Sequence, residues 1–198
     1  MAVSRLPGEA LDELCATGGH HGVIQNAVHA FKYDDARELA TPLADRLFMA
    51  LRLLNLPFDA LVPVPLFADR QAERGYNQSE LLCQQLALMT GIPARPTVIE
   101  RIRQTSQQAT LSGSERQDNV KDAFAASADV MGLSILLVDD VATSGSTLRE
   151  CAKALRLQGA GPVYGIAVSH SLSGDWVPQE EYDEYQHSWR WDQNIGGA

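Results

Sequence analysis

The chain has 198 residues, 45% of them apolar, and a formal net charge of −9. That size and apolar content fit one globular domain with an appendage and exclude a largely disordered chain. The acid excess excludes a dedicated DNA-coating protein, because nucleic-acid affinity leans on Lys and Arg neutralising phosphates. It leaves local basic patches open. A chain this long buries roughly 70% of its unfolded surface, enough for a core without metal or disulfide staples. Cys15, Cys83 and Cys151 lie far apart with no CxxC spacing, so free thiols, a reducing compartment and no structural zinc are expected. No run approaches the roughly 18 apolar residues of a membrane span. Residues 1–7 lack the apolar core of a signal peptide. The expected setting is cytoplasmic, with no membrane partner.

Residues 1–22 read as an arm, ending in Gly18-Gly19-His20-His21-Gly22. Val23, Ile24, Ala27, Val28 and Phe31 then recur at helical spacing. Leu39, Leu43, Leu47, Leu51 and Leu54 predict a second helix that starts near residue 41, where Pro42 is tolerated. The run Ala60-Leu61-Val62-Pro63-Val64-Pro65 predicts a short strand stopped by its prolines. A helix follows from Asn77 or Ser79 to Met89, closed by Gly91. Residues 97–102 are a candidate strand, 103–113 an unpatterned polar loop, and 114–121 a short helix. The run Ser134-Ile135-Leu136-Leu137-Val138-Asp139-Asp140 is the clearest buried strand, continuous as a central parallel strand requires. A helix over 146–157 and a strand over 161–168 complete the alternation. The pattern predicts an α/β fold with a central, mainly parallel sheet of about five strands, flanked by helices, over residues 23–171. Residues 172–198 form an extension. It holds all three tryptophans, and six acids against one base give it a net −5.

The chemistry concentrates in Val138-Asp139-Asp140-Val141-Ala142-Thr143-Ser144-Gly145-Ser146-Thr147. A buried strand delivers two acids to the sheet edge where α/β ligands bind. A loop of small hydroxyl residues and one glycine then enters a helix, forming a phosphate cradle from backbone N–H groups. Acids that accept from sugar hydroxyls beside such a cradle describe a ribose 5-phosphate site. No Gly-Lys-[Ser/Thr] triplet or Gly-x-Gly-x-x-Gly string occurs, so a P-loop is excluded.

This string resembles the motif by which type I phosphoribosyltransferases bind 5-phosphoribosyl 1-pyrophosphate (PRPP). Phe31-Lys32-Tyr33, Val62-Pro63-Val64-Pro65, Arg74-Gly75-Tyr76-Asn77-Gln78, residues 103–108, and Glu115 to Val120 with Phe124 resemble the ComF (GntX-like) branch. The resemblance runs from about residue 23 to 170. It implies the type I phosphoribosyltransferase fold with a small hood. Asp139 and Asp140 would hold the ribose hydroxyls, directly or through Mg²⁺, the one expected cofactor. Thr143, Ser144, Gly145, Ser146 and Thr147 would hold the 5-phosphate. Val62, Pro63, Val64 and Pro65 would form the pyrophosphate loop, which in this superfamily often contains a cis peptide. Residues 103–113 would close over the site.

Departure of pyrophosphate from C1 requires cations at the leaving group and exclusion of water. Arg70, Arg74, Arg101 and Arg103 are the candidates, since the guanidinium fork binds phosphate oxygens bidentately. Arg74 and Arg103 are chosen beside Asp139 and Asp140 as the catalytic set. Residues 70–116 carry six arginines and four acids, a net +2 in an acidic chain. Lys32 is open to two readings, a phosphate ligand or a lysine laid along a helix end. Tyr76 and Asn77 are open to two readings, facing the base or opening the next helix with Asn77 as its N-cap, and Gln78 is a further candidate. His20 and His21 read as solvent-facing, and Cys83 as core.

Two departures from the family matter. Its members often begin with a four-cysteine zinc module, whereas only Cys15 precedes the domain, so no zinc site is expected. Thr143 stands where 6-oxopurine phosphoribosyltransferases carry an aspartate base, which disfavours purine salvage by that mechanism. Three functions compete. One is Mg²⁺-dependent phosphoribosyl transfer to an unidentified small nitrogenous acceptor, with a homodimer as a further expectation. The second is a PRPP-sensing or single-stranded-DNA-handling protein in competence and DNA uptake. The third, a response-regulator receiver, needs its acid pair near the N-terminus rather than two-thirds along the chain.

Overall fold

Ile135, Leu136, Leu137 and Val138 are all fully buried, as a strand covered on both faces must be. The structure is a computed structural model that describes residues 4–5, 10–103, 120–171 and 177–178. In chain order the elements are β1 (Ser4–Arg5), β2 (Glu13–Ala16), α1 (Gly22–Tyr33), α2 (Ala40–Leu54), β3 (Ala60–Pro63), α3 (Ala68–Arg74), α4 (Gln78–Thr90), β4 (Ile99–Arg101), β5 (Phe124–Ala126), β6 (Ile135–Ala142), α5 (Ser146–Leu157), β7 (Val163–His170) and β8 (Val177–Pro178). The main sheet has the order β3-β6-β7-β2-β1-β8. Its first four strands are parallel, and the two short outer strands pair antiparallel. This is the type I phosphoribosyltransferase fold.

Alternation along β6 builds a core on each face. Leu136 and Val138 pack with Phe31, Leu47 and Leu82 of α1, α2 and α4. Ile135 and Leu137 pack with Leu148 and Leu155 of α5 and with Phe124 of the small β4–β5 ladder. Leu43, Leu47 and Leu51 of α2 are buried at successive helical turns, as the leucine spacing predicts. Asn55 ends that helix in the left-handed region with φ 46°, a conformation asparagine tolerates. Asn77 caps α4 by accepting from Ser79 N, and Gly91 closes it at φ 73°.

The structure departs from the sequence reading at several places. Within the stretch read as an arm, Glu13–Ala16 is a sheet strand paired parallel to β7. Four residues are too few to display a periodicity. Helix α3 lies where no element is expected. The candidate strand within 97–102 is β4, paired with β5 in a separate two-stranded ladder. Strand β6 runs two residues past Asp140, because Val141 and Ala142 still pair with Ser169 and His170. Every peptide bond among the described residues is trans, including those of the Val62–Pro65 turn, in keeping with the lower-energy isomer. Most of the predicted loop and helix between 103 and 121, and all of the extension except β8, lie outside the described residues. All three cysteines are free and buried. Among the described residues no helix is long and apolar enough to cross a membrane.

Candidate functional site

Parallel pairing of β3 with β6, in the register Pro63↔Val138, brings two sequence-predicted segments side by side at the carboxyl edge of the sheet. Val64 N donates to Val138 O at 3.0 Å. The Val62–Pro65 turn therefore begins next to Asp139 and Asp140. Asn77 ties it down: its Oδ1 accepts from Ser79 N and its Nδ2 donates to Val64 O, both at 3.0 Å. Asn77 is 7% exposed, so Asn77→Ala removes a helix cap and orphans a buried carbonyl. A loss of about 1–2 kcal/mol is expected in urea denaturation.

The two acids have different surroundings. Asp140 is buried, and its Oδ1 lies 2.8 Å from Lys32 Nζ. Lys32, read two ways in the sequence, thus reaches across from the last turn of α1 to the acid pair. Asp139 is half-buried, and its Oδ1 accepts from Asp140 N at 2.8 Å and from Ser79 Oγ at 3.2 Å. Burial and the Asp140 charge push its carboxyl up to about 7, against the pull of Lys32 and those two hydrogen bonds. A divalent cation or sugar hydroxyls would relieve that strain. Mg²⁺ takes one or two protein carboxylates and completes its shell with water and substrate phosphate, so this donor set fits it.

Beyond β6 the chain turns at Gly145, whose φ of 75° is a left-handed conformation natural to glycine. Helix α5 starts at the next residue. Its first-turn N–H groups and the helix dipole face the loop. Ser144 Oγ and Ser146 Oγ lie 2.9 Å apart, and Thr143 and Thr147 flank them. Arg149 Nη1 donates to Ser144 O at 2.6 Å, bracing the loop from inside the helix. The sequence reading missed Arg149, although its place one turn into α5 was the signal. It missed Ser79 as well, seeing it only as an alternative helix start.

The arginines divide into two groups. Arg70 and Arg74 project from α3 into a cavity of about 280 Å³, which they share with Lys32, Tyr33, Tyr76 and Glu73. Arg74 stacks 5.1 Å over the Tyr33 ring and donates to Gln78 Oε1 at 2.6 Å. Arg101 stacks over Phe124 at 5.4 Å. Burial lowers its pKa, opposed by Cys151 and Asp139, with Arg70 and Arg103 adding to the lowering. Arg101 thus belongs to the field around Asp139. Arg103 donates to Lys121 O, at the edge of the described residues.

Three candidates take other roles. Tyr76 is 7% exposed, and its hydroxyl donates to Phe31 O at 2.6 Å, so it anchors α1 rather than facing a base. Gln78 is buried and holds Arg74. His20 is not wholly in solvent: it is half-buried, with Nδ1 2.8 Å from Ser169 Oγ. Burial and Lys32 lower its pKa, and Asp140 opposes them.

The phosphoribosyl transferase domain family matches residues 37–195. The chain belongs to this family. Within it the chain is of the ComF type. It is 42% identical over 141 residues to the DNA utilization protein YhgH of Salmonella typhi, covering 69% of this chain and 62% of that one. It is 35% identical over 167 residues to Competence protein F of Haemophilus influenzae, covering 79% and 72%. The chain thus spans about three-fifths of the length of the DNA utilization proteins it matches. Among solved structures it is similar to an allosteric regulatory enzyme of purine biosynthesis, with TM-score 0.45 and 22% identity over 65% of this chain and 26% of that one. It is also similar to a purine phosphoribosyltransferase from Pyrococcus horikoshii, with TM-score 0.42 and 14% identity over 70% and 76%.

Proposed function

We propose that this chain binds PRPP with Mg²⁺ and transfers the phosphoribosyl group to a small nitrogenous acceptor. The observation that carries this reading is the junction of the Asp139–Asp140 pair with the hydroxyl loop that opens α5. Asp139 and Asp140 accept from the ribose 2′- and 3′-hydroxyls. Thr143, Ser144, Gly145, Ser146 and Thr147 cradle the 5-phosphate at the helix start. The Val62–Pro65 turn faces the pyrophosphate, and Lys32, Arg70 and Arg74 supply positive charge beside it. Arg101 and Arg103 supply more on the Asp139 side. As C1–O breaks, the bonding pair leaves on pyrophosphate and the cations stabilise it. The acceptor nitrogen forms C1–N and releases its proton to solvent. Asp139 and Asp140 would hold Mg²⁺, whose charge neutralises pyrophosphate oxygens when bound.

Melting in the presence of PRPP and MgCl₂ tests the binding, with a rise in Tm expected. Pyrophosphate release with a panel of nucleobases and ammonium then tests the transfer. A chain that binds PRPP and releases no pyrophosphate with any acceptor supports the second reading, a PRPP sensor in DNA handling. The names of the relatives favour that reading. So does Tyr33, which is exposed beside the Arg74 guanidinium and the tilted His29 ring, since bases stack on aromatic and guanidinium groups. Single-stranded-DNA affinity that falls steeply with salt is its signature.

A further inference from the structure

Along the carboxyl edge the strand order is β3, β6, β7, β2. The pyrophosphate turn ends β3, and the two acids lie on β6. Ser169 and His170 end β7, and residues 17–20 continue from β2. A displacement at C1 needs its nucleophile on the side opposite the leaving group, with the reacting atoms aligned. With pyrophosphate at β3 and ribose over β6, that side is the β7–β2 edge. His20 stands there.

We propose that His20 recognises the acceptor, hydrogen-bonding through Nε2 to a neutral, N–H-bearing heterocycle. This rests on the phosphoribosyl reading above. The ring is held rather than merely present. Its Nδ1 pairs with Ser169 Oγ at 2.8 Å, and Ser169 is fully buried. No hydrogen bond among the described residues engages Nε2. The backbone beneath is fixed: His20 N donates to His170 O at 2.7 Å, and His170 N donates to Gly18 O at 2.9 Å. Arg46 braces the same loop, donating through Nε to Thr17 Oγ1 at 2.6 Å and through Nη2 to Thr17 O at 2.5 Å. Gly18, at φ +154°, leaves room for that guanidinium, because a Cβ there would meet Arg46 Nη2 at 2.9 Å. Such support is what a recognition group needs to hold its geometry. Burial and the Lys32 charge favour the neutral imidazole over the opposing pull of Asp140. A neutral ring suits an uncharged partner, whereas a carboxylate-bearing base calls for a cation.

Substitutions of different reach test this in the full chain. His20→Asn keeps an atom for Ser169 and loses the outward nitrogen. His20→Gln keeps the outward amide. His20→Ala loses both. Adenine, hypoxanthine, uracil and orotate are titrated into ¹⁵N-histidine-labelled protein with PRPP and MgCl₂, and affinities for the variants come from melting. At least one neutral base moves the His20 Nε2 resonance, and only when PRPP is bound. Its affinity falls about tenfold or more in the Ala and Asn variants and is largely kept in Gln, while the PRPP melting shift stays at the wild-type value. The inference is overturned if no base moves the His20 ring while PRPP still raises Tm. It is equally overturned if orotate alone does so, or if the Asn variant binds as the wild type does. If PRPP gives no melting shift in the wild type, the phosphoribosyl reading itself falls, and this inference with it.

Discussion

Replacing Asp139 and Asp140 together by asparagine is expected to erase the melting shift that PRPP and Mg²⁺ give the wild-type chain. The two carboxylates are adjacent on β6 and lie beside the turn that faces pyrophosphate. Hydrogen bonds to charged acceptors contribute about 1.5–3 kcal/mol each, so losing two weakens PRPP by at least about 100-fold. At a ligand concentration 100 times Kd, the wild type gains about 2.7 kcal/mol, or roughly 5–10 °C in a chain of this length. A 100-fold weaker variant gains about 0.4 kcal/mol at that concentration, roughly 1 °C. Asparagine preserves shape and leaves an oxygen for Asp140 N and Ser79 Oγ at position 139 and for Lys32 Nζ at position 140, and far-UV circular dichroism checks that the variant stays folded. An undiminished shift would move PRPP away from β6, and the cavity between Lys32, Arg70 and Arg74 would become its competitor.

What the sequence reveals and what it hides divides along a physical line. Strand β6, the Asn77 cap, the leucine face of α2 and the hydroxyl loop before α5 are written locally, in periodicity, capping chemistry and composition. Each can be found by looking a few residues to either side. The four-residue β2 has no such signature, and its place beside β7 follows from pairing across the whole chain. His20 is the sharper case. Its partner Ser169 is 149 residues away, and nothing near Gly19-His20-His21 distinguishes a ring clamped at a sheet edge from one in solvent. The arginines show the same limit. Composition concentrates positive charge between residues 70 and 116, yet only the tertiary placement of α3 beside the end of α1 puts Arg70 and Arg74 on one cavity with Lys32. Likewise, only β4 brings Arg101 toward Asp139. Lys32 itself is decided by a single contact, the 2.8 Å pair with Asp140, which joins the end of the first helix to the sixth strand. Chemistry-bearing motifs are legible because each is contiguous. The assembly that aims them at one another is tertiary.

The strain on Asp139 has a thermodynamic signature in the ligand-free chain. Burial and the neighbouring Asp140 raise its carboxyl from an ordinary 3.8 to about 7, so between those pH values the folded chain holds a proton that the unfolded chain has released. Stability then falls as pH rises, because the slope follows the protons bound by the unfolded state minus those bound by the folded state. The contribution is intact below about pH 4 and is lost by the time pH passes about 7. Asp139→Asn cannot ionise and escapes this loss. Melting with EDTA present is expected to show equal stability for wild type and variant near pH 4, with a widening advantage for the variant up to pH 8. The full gap corresponds to roughly 4 kcal/mol at most, and half of that is roughly 5 °C in Tm. Parallel melting curves at all pH values would mean that Asp139 ionises as an ordinary carboxylate. A variant both more stable and unable to bind PRPP would mark Asp139 as a residue kept for binding at the expense of the fold.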